Sequence, residues 1–448
     1  MNMSINLERF HETSLPKNLL DRDAFLSGLL SQVTTNKNDG WLQDLREEAA
    51  NWVRHSVVPN TREEEWRFTD LSPLKQVSFH VGTIHELSLQ DDFVLPEVSR
   101  RLVFVNGVYS PNLSNTENLP SGLKLGNLDV LPGEVVQEYL AQAEGAKEVF
   151  PALNTAALND VAVVWVAKNV VVETPIHLLF ISVSGESATI SQPRVFVVAE
   201  SSSQVSLIEE YVTGKMPVPQ EEEVYFTNAV TEIWVQENAQ VTHNRVVREG
   251  AAAFHIGKTA VTQARYSRYN CNAVTVGGKI SRHNLEILQT GEQTETTLNG
   301  LTVIVDNQLA DTHSVLSLNH PHGVSKQLHK CIISDRAHGV FNGKIFVPKL
   351  AQLTDASQLN RNLLLSSKSR IDTKPQLEIT ADNVKCAHGA TVSQLEDDQI
   401  FYLQSRGIDE NDARKLLVNA FAAEIINFIP VPSLRENLLK TVTSLTNK

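Results

Sequence analysis

A cysteine and a histidine two residues apart, Cys386 and His388, stand in the stretch Asp382-Asn383-Val384-Lys385-Cys386-Ala387-His388-Gly389-Ala390-Thr391-Val392. On a β-strand alternate side chains share a face, so the thiol and imidazole would project to one side, about 6.5–7 Å apart along the chain. That separation suits two ligands converging on iron or on a cluster. It is too long for a nucleophile and its base, which need direct contact and a third orienting group. A third reading makes them two strand side chains that merely alternate, with Cys386 a small core residue, as free cysteine often is. Spacing alone leaves the ligand and packing readings open.

The other chemistry-bearing residues give weaker signals. Six of the fourteen histidines fall between 313 and 388: His313, His320, His322, His329, His338 and His388. His320 and His322 have ligand-like spacing, but Pro321 between them points to a turn, and no acid or thiol stands at a defined distance. They are expected to be solvated loop histidines. Cys271 and Cys331 lack neighbours that would depress a thiol pKa and are expected to be packed. Gly278-Lys279 and Gly343-Lys344 lack the upstream glycine of a phosphate cradle, and neither Gly-x-Ser-x-Gly nor His-Glu-x-x-His occurs.

The elements that must position these residues fall into three zones. Residues 1-100 form an N-terminal helical region. Trp41, Leu42, Leu45, Ala49, Trp52 and Val53 recur at helical spacing between Asp39-Gly40 and Pro59-Asn60. The charged run Thr61 to Leu71, with Trp66 and Phe68, reads as a turn of helix packing Trp66 inward. Residues 101-394 form the β core, with an irregular lead-in to about 155. Asn106-Gly107 marks a hairpin, and runs such as 161–166, 176–181, 195–198 and 205–208 read as short strands. Polar corners recur at 200–205, 236–241, 290–295, 335–340 and 385–390, the last two sharing Ala-His-Gly. Short strands, no helices between them and about 230 residues needing one core favour a parallel β-helix over a sandwich. Residues 395-448 form a C-terminal helical domain. Its first helix starts with acids and ends at Gly407. A second runs from 413 to about 429, with Leu416, Leu417, Ala420, Phe421, Glu424, Ile425 and Phe428 on one face, and a third from 434 to 445.

Bulk composition excludes several classes. The chain has 448 residues, is 42% hydrophobic and carries a net charge of −13, which argues against nucleic acid as a partner. No apolar run approaches a membrane span, and Met1 to Arg9 resembles neither a signal nor a transit peptide. Three scattered cysteines fit a reducing, cytoplasmic compartment.

Several strings together resemble one family. They are Arg62-x-x-Glu65-Trp66-Arg67-Phe68-Thr69-Asp70-Leu71, Val340-Phe341-Asn342-Gly343-Lys344, Asn360-Arg361-Asn362-Leu363-Leu364-Leu365, Thr373-Lys374-Pro375-Gln376-Leu377-Glu378-Ile379, the Cys386–Thr391 string, and Gln399-Ile400-Phe401-Tyr402-Leu403-x-Ser405-Arg406-Gly407-Ile408. This set resembles the SufD branch of the SufB/SufD family of the SUF iron–sulfur cluster assembly machinery. The resemblance implies a right-handed parallel β-helix flanked by helices. It implies a non-enzymatic, cytoplasmic scaffold subunit that pairs with SufB through 340–392 and binds the SufC ATPase, with a homodimer as the alternative in isolation. It makes Cys386 and His388 candidates for a nascent-cluster or iron site at the SufB interface, with His388 as the metal ligand and a role in iron acquisition. No cofactor is permanently bound on this reading; iron or a transient cluster is shared with SufB. Phe401, Tyr402, Arg406, Leu416 and Phe421 become the candidate SufC-facing residues. SufB-like chains carry a cysteine in the segment where this chain has Asn360, so the ligand set here is thin. The rivals are a carbohydrate-active β-helix enzyme, which the 6% aromatic content disfavours, and a purely structural partner in which Cys386 and His388 only pack.

Overall fold

The computed structural model describes residues 22–33, 40–82, 87, 89–185, 187–214 and 223–446. The expectations placed on Met1 to Arg9 and on Asp39 lie outside the described residues. Successive strands alternate between two parallel sheets, and each strand pairs in register with the strand one coil earlier and one coil later. The result is a parallel β-solenoid of about eight turns with helical regions at both ends. A strand in such a coil buries its inward side chains against the facing sheet and against the coils above and below it, so the body needs no helices between strands.

One residue per coil turns the chain from the first sheet to the second. Ser202, Asn238, Tyr266, Gln293, His322 and Leu353 all adopt the left-handed conformation. The amide of each donates to a carbonyl of the next coil, from Ser202 N to Glu237 O through to Leu353 N to Asn383 O. The polar corners expected at 200–205, 236–241 and 290–295 are this column. The corner expected at 385–390 is not a corner, since Lys385–Ser393 is a strand. The shared Ala-His-Gly is therefore no structural repeat: His338 is the first residue of its strand, whereas His388 is the fourth.

Strands of the regular coils run 9 to 11 residues, longer than the apolar runs that announced them. The cause lies in the interior, where polar groups share the inward positions with apolar ones. Glu209 accepts from His243 Nε2 (3.1 Å), Tyr211 Oη (2.9 Å) and Thr231 Oγ1 (2.8 Å), and Arg245 Nε lies 3.5 Å away. Arg245 reaches His255 (2.6 Å), whose Nδ1 faces Glu249 (2.9 Å). A Cβ at Gly257 would collide with the Arg245 guanidinium, so only glycine makes room for that side chain.

The helix Gly40–Arg54 forms as expected and buries Leu42, Arg46 and Val53. The hairpin at Asn106-Gly107 has both residues at positive φ and pairs Val105 with Val108. The motif from Glu64 to Leu71 straps the N-terminal region across the outer face of the first sheet. Trp66 is buried with the Arg282 guanidinium 3.8 Å from its ring centroid. Arg282 and the Thr69 hydroxyl both donate to the buried Asp311 carboxylate. Glu65 meets His313 at 3.2 Å, and Glu64 meets Lys374 at 2.5 Å. The inward packing expected of Trp66 is what the structure has. Thr69→Val keeps the volume but removes a hydroxyl that donates to a buried charge, so it should cost about 1.5–3 kcal/mol in denaturant unfolding.

The C-terminal helices Glu410–Ile426 and Pro432–Thr446 share a core with the outer face of the second sheet. Val418, Ala422, Ile425, Ile426, Leu434 and Leu438 pack on Val246, Val274, Leu301 and Ile332. The longer helix buries a different face from the one expected. Its buried stripe is Ala413, Val418, Ala422, Ile425 and Ile426, while Leu416 and Ala420 are exposed. Apolar residues occur around much of this helix, so periodicity did not single out the stripe that the sheet accepts.

Candidate functional site

The strand Lys385–Ser393 closes the sequence of coils. It pairs with Asp355–Leu364 on one side, and it stands at the end of its sheet, as Arg370–Ile379 does in the other. Register stacks Cys386 on Ala356, His388 on Gln358, Ala390 on Asn360 and Val392 on Asn362. Those four lower positions are inward and buried. Cys386 and His388 therefore do alternate on one strand and share its inward face, but on a rung that nothing covers among the described residues. Cys386 is half-buried against the interior core, and His388 is exposed.

The electrostatics give the two residues different capacities. Burial, with a lesser contribution from Asp355, pushes the Cys386 thiol up, against a hydrogen bond from the Ala356 backbone. It is a protonated thiol rather than a poised nucleophile, and ligation would have to displace its proton. Cys331 is buried and pushed up to about 12, in keeping with a packed residue. Cys271 is buried beside His243, its register partner. Asn360 is wholly engaged in the rung below: its Nδ2 donates to His329 O (3.1 Å), and its Oδ1 accepts from Thr373 (2.8 Å) and Asn362 (2.6 Å). It has nothing left to offer a metal.

The remaining site expectations separate by placement. His322 is exposed and sits at a left-handed corner, with His320 half-buried beside it. Among the described residues no group of three or more His, Cys, Asp or Glu side chains could by itself hold a metal ion. Phe401 and Tyr402 are 70% and 58% exposed on the helix Asp397–Gln404, whose Ile400 is buried beneath them. The Arg406 guanidinium lies 5.4 Å from the Tyr402 ring centroid, and Leu416 is also exposed. Phe421 differs from these four. It packs on the second sheet with Lys330 Nζ 3.8 Å from its ring centroid, while Nζ also meets Glu424 at 2.5 Å and donates to the Phe421 carbonyl at 2.7 Å.

Sequence reasoning did not find the interior polar ladder that rises toward this rung. Gln358 Nε2 donates to Gln327 Oε1 (2.7 Å), and Gln327 Nε2 donates to Ser314 Oγ (2.8 Å). Gln358 and Gln327 alternate with residues facing out, so their strand phase was the available signal. A groove of about 670 Å³ lies between the N-terminal helices and the first sheet. Its charges are matched, with Lys258 between Glu148 (2.8 Å) and Glu286 (2.5 Å) and His313 facing Glu65. It offers no pair of unengaged carboxylates of the kind glycoside cleavage uses.

A parallel β-solenoid with helical regions at both ends and an open last rung defines the class of fold. The chain matches the SufBD core domain of SUF-system FeS cluster assembly over residues 180–421 and the SufBD protein N-terminal region over 30–178. A SufBD family iron–sulfur cluster assembly protein of Synechocystis is 45% identical, covering 98% of this chain and 97% of that one. The chloroplastic protein ABCI7 of Arabidopsis thaliana is 35% identical, over 90% of this chain and 86% of its own length. The iron–sulfur cluster assembly protein SufD of Escherichia coli is 34% identical over 86% and 88%. The chain belongs to the SufBD family of iron–sulfur cluster assembly proteins, as a member of SufD type.

Proposed function

We propose that this chain is a scaffold subunit that pairs with SufB through its last rung and with the SufC ATPase through its C-terminal helices. On this reading a nascent cluster, or the iron that enters it, is cargo held at the SufB boundary rather than a resident cofactor. His388 supplies one ligand, and Cys386 a second once its proton is displaced. Two protein ligands fall short of the about four a cluster takes, so SufB must lend the rest. The observation that carries the reading is the uncovered rung: sheet edges and a lumen-facing imidazole are left exposed where buried counterparts stand one coil below. An exposed edge and open interior invite a neighbouring chain. Three free cysteines are consistent with work in a reducing cytoplasm, and no described helix is long and apolar enough to cross a membrane.

Phe401 and Tyr402 are the natural anchors for SufC, because aromatic residues carry a disproportionate share of interface energy. Co-expression of the three chains followed by size-exclusion chromatography and mass-based stoichiometry tests the assembly. A complex containing all three supports the proposal, and a chain that elutes alone refutes it. Phe401→Asp should weaken SufC retention by about tenfold or more while leaving SufB bound. Equal loss of both partners would mean that the helix serves the fold rather than SufC.

A further inference from the structure

We infer that Gln358 is the positioning residue for His388: turned onto the Gln358 amide oxygen, the imidazole would give it one N–H and keep the other ring nitrogen's lone pair free for a ligand. The amide is oriented from below. Its Nε2 is committed to Gln327 Oε1, and Gln327 is held in turn by Ser314. A Cβ at Gly343 would run into Gln358 Nε2, so the amide occupies space that the glycine leaves free. The oxygen is thereby left on the far side of the amide from Gln327.

That oxygen is an acceptor without a partner. Gln358 is 2% exposed, and its Oε1 is shut off from water with no hydrogen bond. A buried carbonyl oxygen in that state attracts any donor able to reach it. His388 is the register neighbour on the next strand, with its side chain on the same face and about 4.8 Å of strand spacing between them. Other nearby groups do not compete. Pro375 stands above Gly343 on the facing strand and has no N–H, and Thr373 already donates to Asn360. Cys386 stacks on Ala356 rather than on Gln358.

The consequence is chemical. A histidine ligand uses one nitrogen for the metal and usually gives its other N–H to a fixed acceptor, which sets the tautomer and the ring orientation. Ser314, Gln327 and Gln358 form that support as a ladder of side chains within the lumen. The metal-facing consequence rests on the proposed ligand role of His388, but the hydrogen bond does not.

The test separates the two. In ¹⁵N-histidine-labelled full-length protein at a fixed pH of about 8, long-range ¹H–¹⁵N correlation reads the tautomer of His388, assigned by its loss in His388→Ala. The native protein should hold one tautomer. Gln358→Leu should give a mixture close to that of free imidazole, and Gln358→Glu, which keeps an acceptor oxygen but loses the donor to Gln327 Oε1, should recover the single form in part. A tautomer unchanged in a folded Gln358→Leu protein overturns the inference and leaves the ligand role standing. Iron and acid-labile sulfide in the complex co-expressed with SufB and SufC should fall about 10-fold or more in Gln358→Leu and recover in part in Gln358→Glu. If the tautomer responds to Gln358 while His388→Ala leaves iron and sulfide unchanged, the positioning holds and the ligand role falls.

Discussion

Glu209→Gln is expected to cost about 3–5 kcal/mol of folding stability near neutral pH, because it leaves buried cations without their counter-charge. Glu209 is 1% exposed and faces His243, Arg245, Tyr211 and Thr231 inside the solenoid. Burial opposes its charge, but the attraction and hydrogen bond of His243, then Arg245 and Thr231, prevail and hold it at about 2 against an ordinary 4.5. Burial likewise opposes a charge on His243. The Glu209 carboxylate, with hydrogen bonds to Cys271 and Glu209, overcomes this and raises it from 6.5 to about 9.

The two shifts act at opposite ends of the pH scale. A lowered carboxylate stabilises the fold fully above about 4.5 and loses that contribution as pH falls through about 2. A raised imidazole contributes fully below about 6.5 and loses its contribution as pH rises through about 9. The stability gap between native protein and Glu209→Gln should therefore be widest between about pH 4.5 and 6.5 and narrow toward pH 9. Equilibrium unfolding in denaturant across that range measures it. A gap below about 1 kcal/mol, flat with pH, would mean that the interior charges are not coupled as their geometry requires.

This ion cluster also explains what could and could not be read from the chain. The solenoid was legible because Val- and Ile-rich runs follow one another without helical spacing between them. Four of the corners were legible because Ser202, Asn238, Gln293 and Asp335 sit in polar clusters suited to a left-handed turn. Strand length was not, since Glu209, His243 and Arg245 interrupt the apolar runs, and alternation alone does not tell an inward charge from an outward one. The motif around Trp66 could be marked as packed, but its acceptor, Asp311, lies 242 residues away and carries no local sign of the pairing. Cys386 and His388 were correctly assigned to one strand face by period-two geometry. That this face belongs to an uncovered rung depends on how many coils precede it, which the irregular coil lengths concealed. Gln358 stayed invisible for the same reason: a glutamine in an alternating strand matters only once the register places it beneath His388.

On the proposed ligand role, His388→Ala should strip most of the iron and acid-labile sulfide from the co-expressed complex, about 10-fold or more relative to native, while leaving subunit stoichiometry intact. The size of the effect follows from the ligand count. Cys386 and His388 are the only ligating side chains on the inward face of the last rung, and the thiol is held protonated by burial. On that reading, removing the imidazole leaves this chain with one donor whose proton must first be displaced, so it no longer brings the two ligands proposed for it. The substitution should not disturb the fold, because His388 is exposed and stands beyond the buried rungs, where replacements usually change stability by no more than about 0.5 kcal/mol. Cys386→Ser should lower cluster content less, since half-burial against the interior core already gives that side chain a packing role. Iron and sulfide unchanged in His388→Ala, with the assembly intact, would reduce both residues to strand packing and move the search for ligands wholly to SufB. Loss of the assembly itself would instead assign His388 to the joint between the chains, and the two outcomes separate on a single size-exclusion run with metal analysis of each peak.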